Sequence, residues 1–152
     1  MSVTLTRVEL FDHRFVALVN QLDSYQKPLY PATNDYTMPL EVMAQAESYP
    51  LLAEIAGTAV GCACLYIADG IAEIKRVFVD PHCRGQGIAV KLVQAVELQA
   101  RKRNISRLYL ETGIYQPHAV GLYRRLGFQQ TECFGSYIDD PLSVYMVKDL
   151  AG

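Results

Sequence analysis

Ile74-Lys75-Arg76-Val77-Phe78-Val79-Asp80-Pro81-His82-Cys83-Arg84-Gly85-Gln86-Gly87-Ile88-Ala89 changes its period once, and that change decides the fold. Ile74 to Val79 is rich in β-branched and aromatic residues, and Asp80-Pro81 ends the run, so it reads as a strand. Beyond it Ala89 and Val93 fall four apart, as do Leu92, Val96 and Ala100, which marks one apolar face of a helix. Between strand and helix stand Gly85 and Gly87.

Two glycines at a helix start have a physical use. The first turn of a helix carries N–H groups with no intrahelical partner, and the helix dipole adds partial positive charge there. Glycine has no Cβ, so an anion can approach the backbone closely. These features together make a site for a phosphate-sized anion, and Arg84 adds a fixed positive charge beside it. A Walker loop would need Lys-Ser or Lys-Thr after the second glycine, where this chain has Ile88-Ala89. A dinucleotide fingerprint would need a third glycine near Val90 and an acidic residue after the next strand.

Arg84-Gly85-Gln86-Gly87-Ile88-Ala89 fits Arg/Gln-x-x-Gly-x-Gly/Ala. It resembles the pyrophosphate loop of the GNAT (Gcn5-related) N-acetyltransferases, which bind acetyl-coenzyme A. Downstream, Ala119-Val120-Gly121-Leu122-Tyr123-Arg124-Arg125-Leu126-Gly127-Phe128 resembles the second signature of that family, Ala-x-x-x-Tyr-x-x-x-Gly-Phe. The resemblance spans roughly Leu51 to Leu150 and points to a small single-domain member of bacterial type, residues 1–152.

Composition agrees with such a protein. The chain has 152 residues, 51% hydrophobic and 20% charged, enough for one domain with a real core. A net charge of −2 gives no basic footprint for nucleic acid. No apolar run has the length of a membrane span, and the N-terminal residues lack a signal-peptide core. The four cysteines, 62, 64, 83 and 133, form neither a disulfide framework nor a zinc spacing. A cytoplasmic protein without metal is the expectation. Cys62 and Cys64 share a strand face and read as packing.

In chain order, Val3 to Val8 reads as a strand. Asp12 caps a helix through Phe15, Leu18, Val19 and Leu22. Tyr25 to Tyr36 holds two prolines and three tyrosines and reads as an irregular loop that lids the core or touches substrate. A short helix starts at Pro39. Leu51–Ala56 and Ala59–Ile67 form a hairpin around Gly57-Thr58, and Asp69-Gly70 turns into the central strand. The long helix ends near Lys102-Arg103-Asn104. Arg107–Glu111 is a strand, Pro117 to Gly127 a helix, and Phe128–Cys133 and Ser143–Lys148 the last strands. The order β-α-α-β-β-β-α-β-α-β-β matches the family's α/β fold of α+β type. That fold is one mixed, mostly antiparallel, seven-stranded sheet flanked by about four helices, with splayed central strands.

The resemblance implies that acetyl-CoA enters the splay. Val77-Phe78-Val79 would lie along its pantetheine arm, with Val77 and Val79 pairing through their backbone as an added strand does. Arg84, Gly85, Gln86, Gly87, Ile88, Ala89 and Val90 would hold its pyrophosphate. It also implies two catalytic groups. Glu73 lies eleven residues before Arg84 in an Ala-Glu-Ile context that matches the general base of the histone-acetylating branch. The competing reading is an ion pair with Lys75, two residues on and on the same strand face. Glu111 is a second candidate base; otherwise it caps the turn at Thr112-Gly113. Tyr123 stands where the family places a tyrosine near the coenzyme sulfur; otherwise it packs against Phe128. A phenol, with pKa near 10, can donate to a departing thiolate whose thiol has pKa near 8.5. Gln116 stands where many relatives have Asn, which keeps the amide and changes its reach. His82 and His118 read as surface residues.

The expected activity is acetyl transfer from acetyl-CoA to a primary amine, of a small molecule or a protein, by direct attack in a ternary complex. Two alternatives remain at this stage: an acyl-CoA-binding module without transfer, and transfer of another acyl chain or to a hydroxyl. The acceptor, a small molecule or peptide, is expected between the tyrosine loop and Tyr137-Ile138-Asp139-Asp140. Tyr30 and Tyr137 are its candidate contacts, and Asp139 and Asp140 would suit a cation; otherwise Asp-Asp-Pro is an ordinary turn. The family often forms homodimers.

Overall fold

The computed structural model describes residues 2–151. Seven strands form one sheet in the order β1-β2-β3-β4-β5-β7-β6. They are β1 (Thr4–Arg7), β2 (Glu47–Ile55), β3 (Thr58–Ala68), β4 (Ile71–Val79), β5 (Arg107–Gly113), β6 (Gln129–Thr131) and β7 (Ser143–Asp149). Four helices flank the sheet: α1 (His13–Gln26), α2 (Leu40–Met43), α3 (Ile88–Lys102) and α4 (Pro117–Arg125). Every strand pair is antiparallel except β4–β5.

Local chemistry sets the boundaries. Asp12 caps α1 by accepting from the Arg14 N–H at 2.9 Å, and Phe15, Leu18, Val19 and Leu22 bury its apolar face. The β2–β3 turn lies at Ala56-Gly57, one residue earlier than expected, with φ of 50° and 80°. Positive φ at both central residues is the type I′ geometry that matches strand twist. Strand β2 starts at Glu47, before Pro50. The Pro50 carbonyl faces β1 and accepts from Val8, so its missing donor falls where β1 has ended. Phe128 belongs to the end of α4 rather than to β6. Gly127 turns left-handed (φ 97°) and the Phe128 N–H reaches back to the Tyr123 carbonyl at 3.0 Å. Asn104 does the same for α3, with Ile105 bonding back to Ala100.

Two apolar layers sandwich the sheet. Leu51, Ala53, Ala63, Ile74 and Leu108 pack on α3 and on Tyr123 and Phe128. Leu52, Cys62, Cys64, Tyr66 and Phe78 pack on α1 and Met43. Cys62 and Cys64 are therefore core residues, and burial pushes both thiols up to about 12.

Two irregularities in β4 make the site. Strands β4 and β5 pair only at Ala72↔Leu108 and Glu73↔Tyr109, and then part. On its other side β4 bulges: Cys64 pairs with Lys75 but Cys62 with Phe78, so Arg76 and Val77 together oppose Ala63. Arg76 takes φ of 56°, a conformation that costs a non-glycine residue roughly 1–2 kcal/mol. Its side chain is fixed by Asp23 of α1 at 3.4 Å and by the Met38 carbonyl. The bulge also shifts the alternation, so Phe78 rather than Val77 joins Cys62 and Cys64 on the α1 side.

Candidate active site

Where β4 and β5 part, a cleft of about 330 Å³ opens, lined by Glu73, Lys75 and Val77 of β4, Leu110, Glu111 and Thr112 of β5, and Tyr123 of α4. Tyr30 and Tyr36 of the tyrosine loop, with Tyr137 and Ser143, complete its lining. The structure thus brings Glu73, Tyr123, Val77, Tyr30 and Tyr137 to one place.

Glu73 sits in a buried polar cluster. Its Oε2 accepts from the Tyr137 hydroxyl at 2.6 Å and lies 3.1 Å from Lys75 Nζ. Lys75 Nζ also donates to the Tyr137 hydroxyl at 2.8 Å. Burial raises the Glu73 pKa above the ordinary carboxylate range, and the Lys75 charge and the Tyr137 hydrogen bond pull it back. Burial and the Glu73 charge both push the Tyr137 phenol up, so it stays protonated. The ion pair with Lys75 read from the strand spacing is present, and so is access to the cleft.

Glu111 accepts from the Ser143 hydroxyl at 2.8 Å, so its partner is on β7 and not in the Thr112-Gly113 turn. Burial raises its pKa, and the charge of Glu73 raises it further. Tyr123 is buried, its ring 5.7 Å edge-on from Phe128. Burial alone raises its pKa, because no other group bonds or charges its hydroxyl. Packing and cleft exposure therefore coexist at Tyr123.

The tyrosine loop is fastened at two points. The Tyr30 hydroxyl donates to Gln116 Oε1 at 3.2 Å and accepts from the Tyr115 N–H at 3.1 Å, and its ring stacks on Tyr115 at 5.3 Å. A Cβ on Gly113 would overlap that hydroxyl, so glycine there makes the seat. Gln116 thus serves the loop. At the second point Asp140 receives hydrogen bonds from Tyr36, from Asn34 at 2.5 Å and from the Leu142 N–H at 2.8 Å. Asp140 is a fastener, with both oxygens engaged, rather than a free charge for a cationic acceptor; Asp139 is exposed.

Past the bulge the strand leads to the glycine turn. Phe78 and Val79 are buried, and the Arg84 Nε donates back to the Val79 carbonyl at 3.4 Å. Gly85 and Gly87 have φ of 82° and 74°, and a Cβ at either would meet nothing within 4 Å. Their conformation needs glycine, and the space beside them is open. Gly87 caps α3 with no side-chain partner, and the first helical bond runs from Lys91 to Gly87. The N–H groups of Ile88, Ala89 and Val90 consequently lack helical acceptors. His82, His118, Arg124 and Arg125 are all exposed.

A family model described as the acetyltransferase (GNAT) family matches residues 13–128. The chain belongs to this family. It is similar to an IAA acetyltransferase of Azospirillum brasilense, 39% identical across 98% of this chain and 99% of that one. An uncharacterized N-acetyltransferase of Bacillus subtilis, YsnE, is 32% identical over 93% of this chain and 96% of its own length. Among solved structures, a Klebsiella pneumoniae protein named for acyl-CoA N-acyltransfer superposes with a TM-score of 0.83, at 38% identity over 98% of both chains. The PaiA N-acetyltransferase of Thermoplasma acidophilum, solved with coenzyme A, shares the fold at TM-score 0.75 and 17% identity, over 98% of this chain and 99% of that one.

In this GNAT acetyltransferase a carboxylate, Glu73, and an un-ionised phenol, Tyr123, line one cleft. It adds an amide-rich helix start at the other end of β4. Among the described residues no group of three or more His, Cys, Asp or Glu gathers as a metal site, and no helix is long and apolar enough to cross a membrane. The residues that sequence reasoning missed are Ser143, Gly113 and the bulged Arg76. Lys75 had a local signal, a lysine inside an apolar strand two residues from Glu73.

Proposed function

We propose that the protein transfers an acetyl group from acetyl-CoA to a primary amine by direct attack in a ternary complex. The observation that carries this reading is that Glu73 and Tyr123 line one cleft at the parting of β4 and β5. Acetyl-CoA supplies the activated acetyl group. The residues present fit it: unpaired amides at Ile88, Ala89 and Val90 face open space beside Gly85 and Gly87, where a pyrophosphate would rest. Beyond Glu73 strand β4 has no β5 partner, so its β5-facing edge around Val77 to Val79 is open to an extended ligand.

Glu73 accepts the proton of the incoming ammonium group, directly or through one water. Tyr123 hands its phenolic proton to the departing sulfur, and it can do so because burial keeps it protonated. Tyr30, Tyr36 and Tyr137 bound the space left for the acceptor, which suits a partly aromatic or apolar amine.

The test is acetyl-CoA incubated with a panel of primary amines, covering aromatic monoamines, polyamines, amino acids and peptide N-termini, read by CoA release and product mass. Amine-dependent CoA release with a matching N-acetyl product is the expected result. Tight acetyl-CoA binding with no release across the panel would favour a binding module instead.

A further inference from the structure

We propose that Lys75 and Tyr137 are positioning residues that clamp Glu73 Oε2 and leave Oε1 as the proton-accepting atom. The inference deepens the reading of Glu73 as the base and rests on it.

The two contacts to Glu73 fall on the same oxygen. Tyr137 donates to Oε2 at 2.6 Å, and Lys75 Nζ lies 3.1 Å from that same atom. Among the described residues the buried side-chain N and O atoms without a hydrogen-bond partner are Asp23 Oδ1 and Arg76 Nε, which face each other as an ion pair at 3.4 Å. Glu73 Oε1 is not one of them and makes no bond to the protein, so it is reached from the cleft. One oxygen is thus held and its twin is presented. Lys75 and Tyr137 also hold each other at 2.8 Å, which closes a three-membered ring of contacts and fixes the carboxylate plane.

A buried carboxylate on its own takes up a proton and is then no base. The groups facing Glu73 divide by sign. Glu111 of β5 disfavours its ionisation. Tyr66 of β3, across the ladder, is un-ionised, as is Tyr137 from the β6–β7 loop. Arg76 is a cation, but Asp23 and the Met38 carbonyl hold its guanidinium. Lys75 is therefore the cation in direct contact. Its ammonium is seated between the rings of Tyr66 and Tyr137, 5.7 and 5.2 Å from their centroids, where it is held without a second carboxylate. A clamp of this kind keeps Glu73 charged although it is buried, and aims its free lone pairs at the cleft.

The experiment is an infrared pH titration of the protonated-carboxyl band of Glu73, isolated by subtracting Glu73→Gln, on wild type, Lys75→Met, Lys75→Arg and Tyr137→Phe. It needs no acceptor. Lys75→Met should raise the midpoint by about 1–3 pH units, the range that a nearby opposite charge supplies. Lys75→Arg should restore most of the wild-type value, and Tyr137→Phe should raise it by less than Lys75→Met. If Lys75→Met fails to fold, Tyr137→Phe and Lys75→Arg decide the matter. The acid limb of kcat/KM, measured with the panel amine turned over fastest, should move with the infrared midpoint. A midpoint unchanged in folded Lys75→Met, or in Tyr137→Phe where that alone folds, overturns the clamp. A midpoint that moves while Glu73→Gln stays fully active leaves the clamp standing and removes Glu73 as base.

Discussion

The two halves of β4 serve the site in different currencies. From Ile71 to Lys75 the strand presents side chains: Glu73 and Lys75 lie in the cleft and are read by their charge. Beyond the bulge at Arg76 its β5-facing edge has no strand partner, and the turn that follows holds the glycines and free amides of the α3 start. Residue identity governs the first half and conformation the second. The difference teaches that a substitution in one half should be invisible to the assay that reads the other. The bulge is the joint between them, and α1 holds it from outside through Asp23 and Arg76.

Among the substitutions that probe the comparison away from Glu73, the largest effect is expected at Tyr123, the proposed acid. Tyr123→Phe removes one oxygen and keeps the ring that packs on Phe128. Turnover at saturating acetyl-CoA should fall by about 10²–10⁴-fold, with melting temperature and acetyl-CoA affinity near wild type. A tyrosine used only for packing would keep turnover near wild type, since its hydroxyl makes no hydrogen bond among the described residues. Normal turnover would put all the proton chemistry on β4.

Gly87→Glu tests the backbone half. It forces a left-handed non-glycine residue at the α3 cap and brings a negative charge to the amides. Acetyl-CoA affinity should drop by about 10–100-fold, since a like charge about 4 Å from a phosphate costs roughly 1–4 kcal/mol, whereas the strain lowers stability rather than affinity. Calorimetric titration of the folded variant checks this. Unaltered affinity would move the anion site elsewhere and break the comparison.

Gly113→Ala should sharpen it. The added methyl displaces the Tyr30 hydroxyl from Gln116 and Tyr115, which costs two hydrogen bonds of about 0.5–1.5 kcal/mol each. The acceptor KM should rise roughly tenfold while the acetyl-CoA Kd stays put. A change in Kd alone would place Tyr30 with the cofactor.

Much of the backbone half was legible in the sequence, because a glycine pattern between a strand and a helix is local. Fold order, the Asp12 cap and the Asn104 helix end were legible for the same reason. The side-chain half was legible only in part. Glu73 and Tyr123 could be named from resemblance, but Tyr137 reaches Glu73 from 64 positions away and Ser143 reaches Glu111 from 32, and no local pattern encodes such meetings. The bulge escaped because Arg76 occupies a left-handed position without being glycine. Asp140 read as a charge for the acceptor or as part of an ordinary turn, because nothing in Asp-Asp-Pro reveals that Asn34 and Tyr36 come to meet it.

The smallest predicted effect concerns that last fastener. The hydrogen bonds from Tyr36, Leu142 and Asn34 hold the Asp140 carboxyl below its ordinary value. A depressed carboxylate stabilises the fold above its ordinary pKa, about 3.9, and loses that contribution as pH falls through the folded value. Tyr36→Phe should lower the melting temperature by a few degrees at neutral pH, and the gap to wild type should close toward pH 2–3, roughly one unit or more below that pKa. A gap independent of pH would mean that the Tyr36 ring, not its hydroxyl, holds the loop.

The most direct measurement is made on Glu73→Gln, with acetyl-CoA affinity and saturated turnover determined on the same preparation across the active pH range. The division of labour along β4 predicts that turnover falls by about 10²–10⁴-fold, most at the lower end of that range, while the acetyl-CoA Kd stays within about twofold of wild type. A turnover loss under about threefold at every pH, or a Kd that weakens in step with turnover, would contradict it.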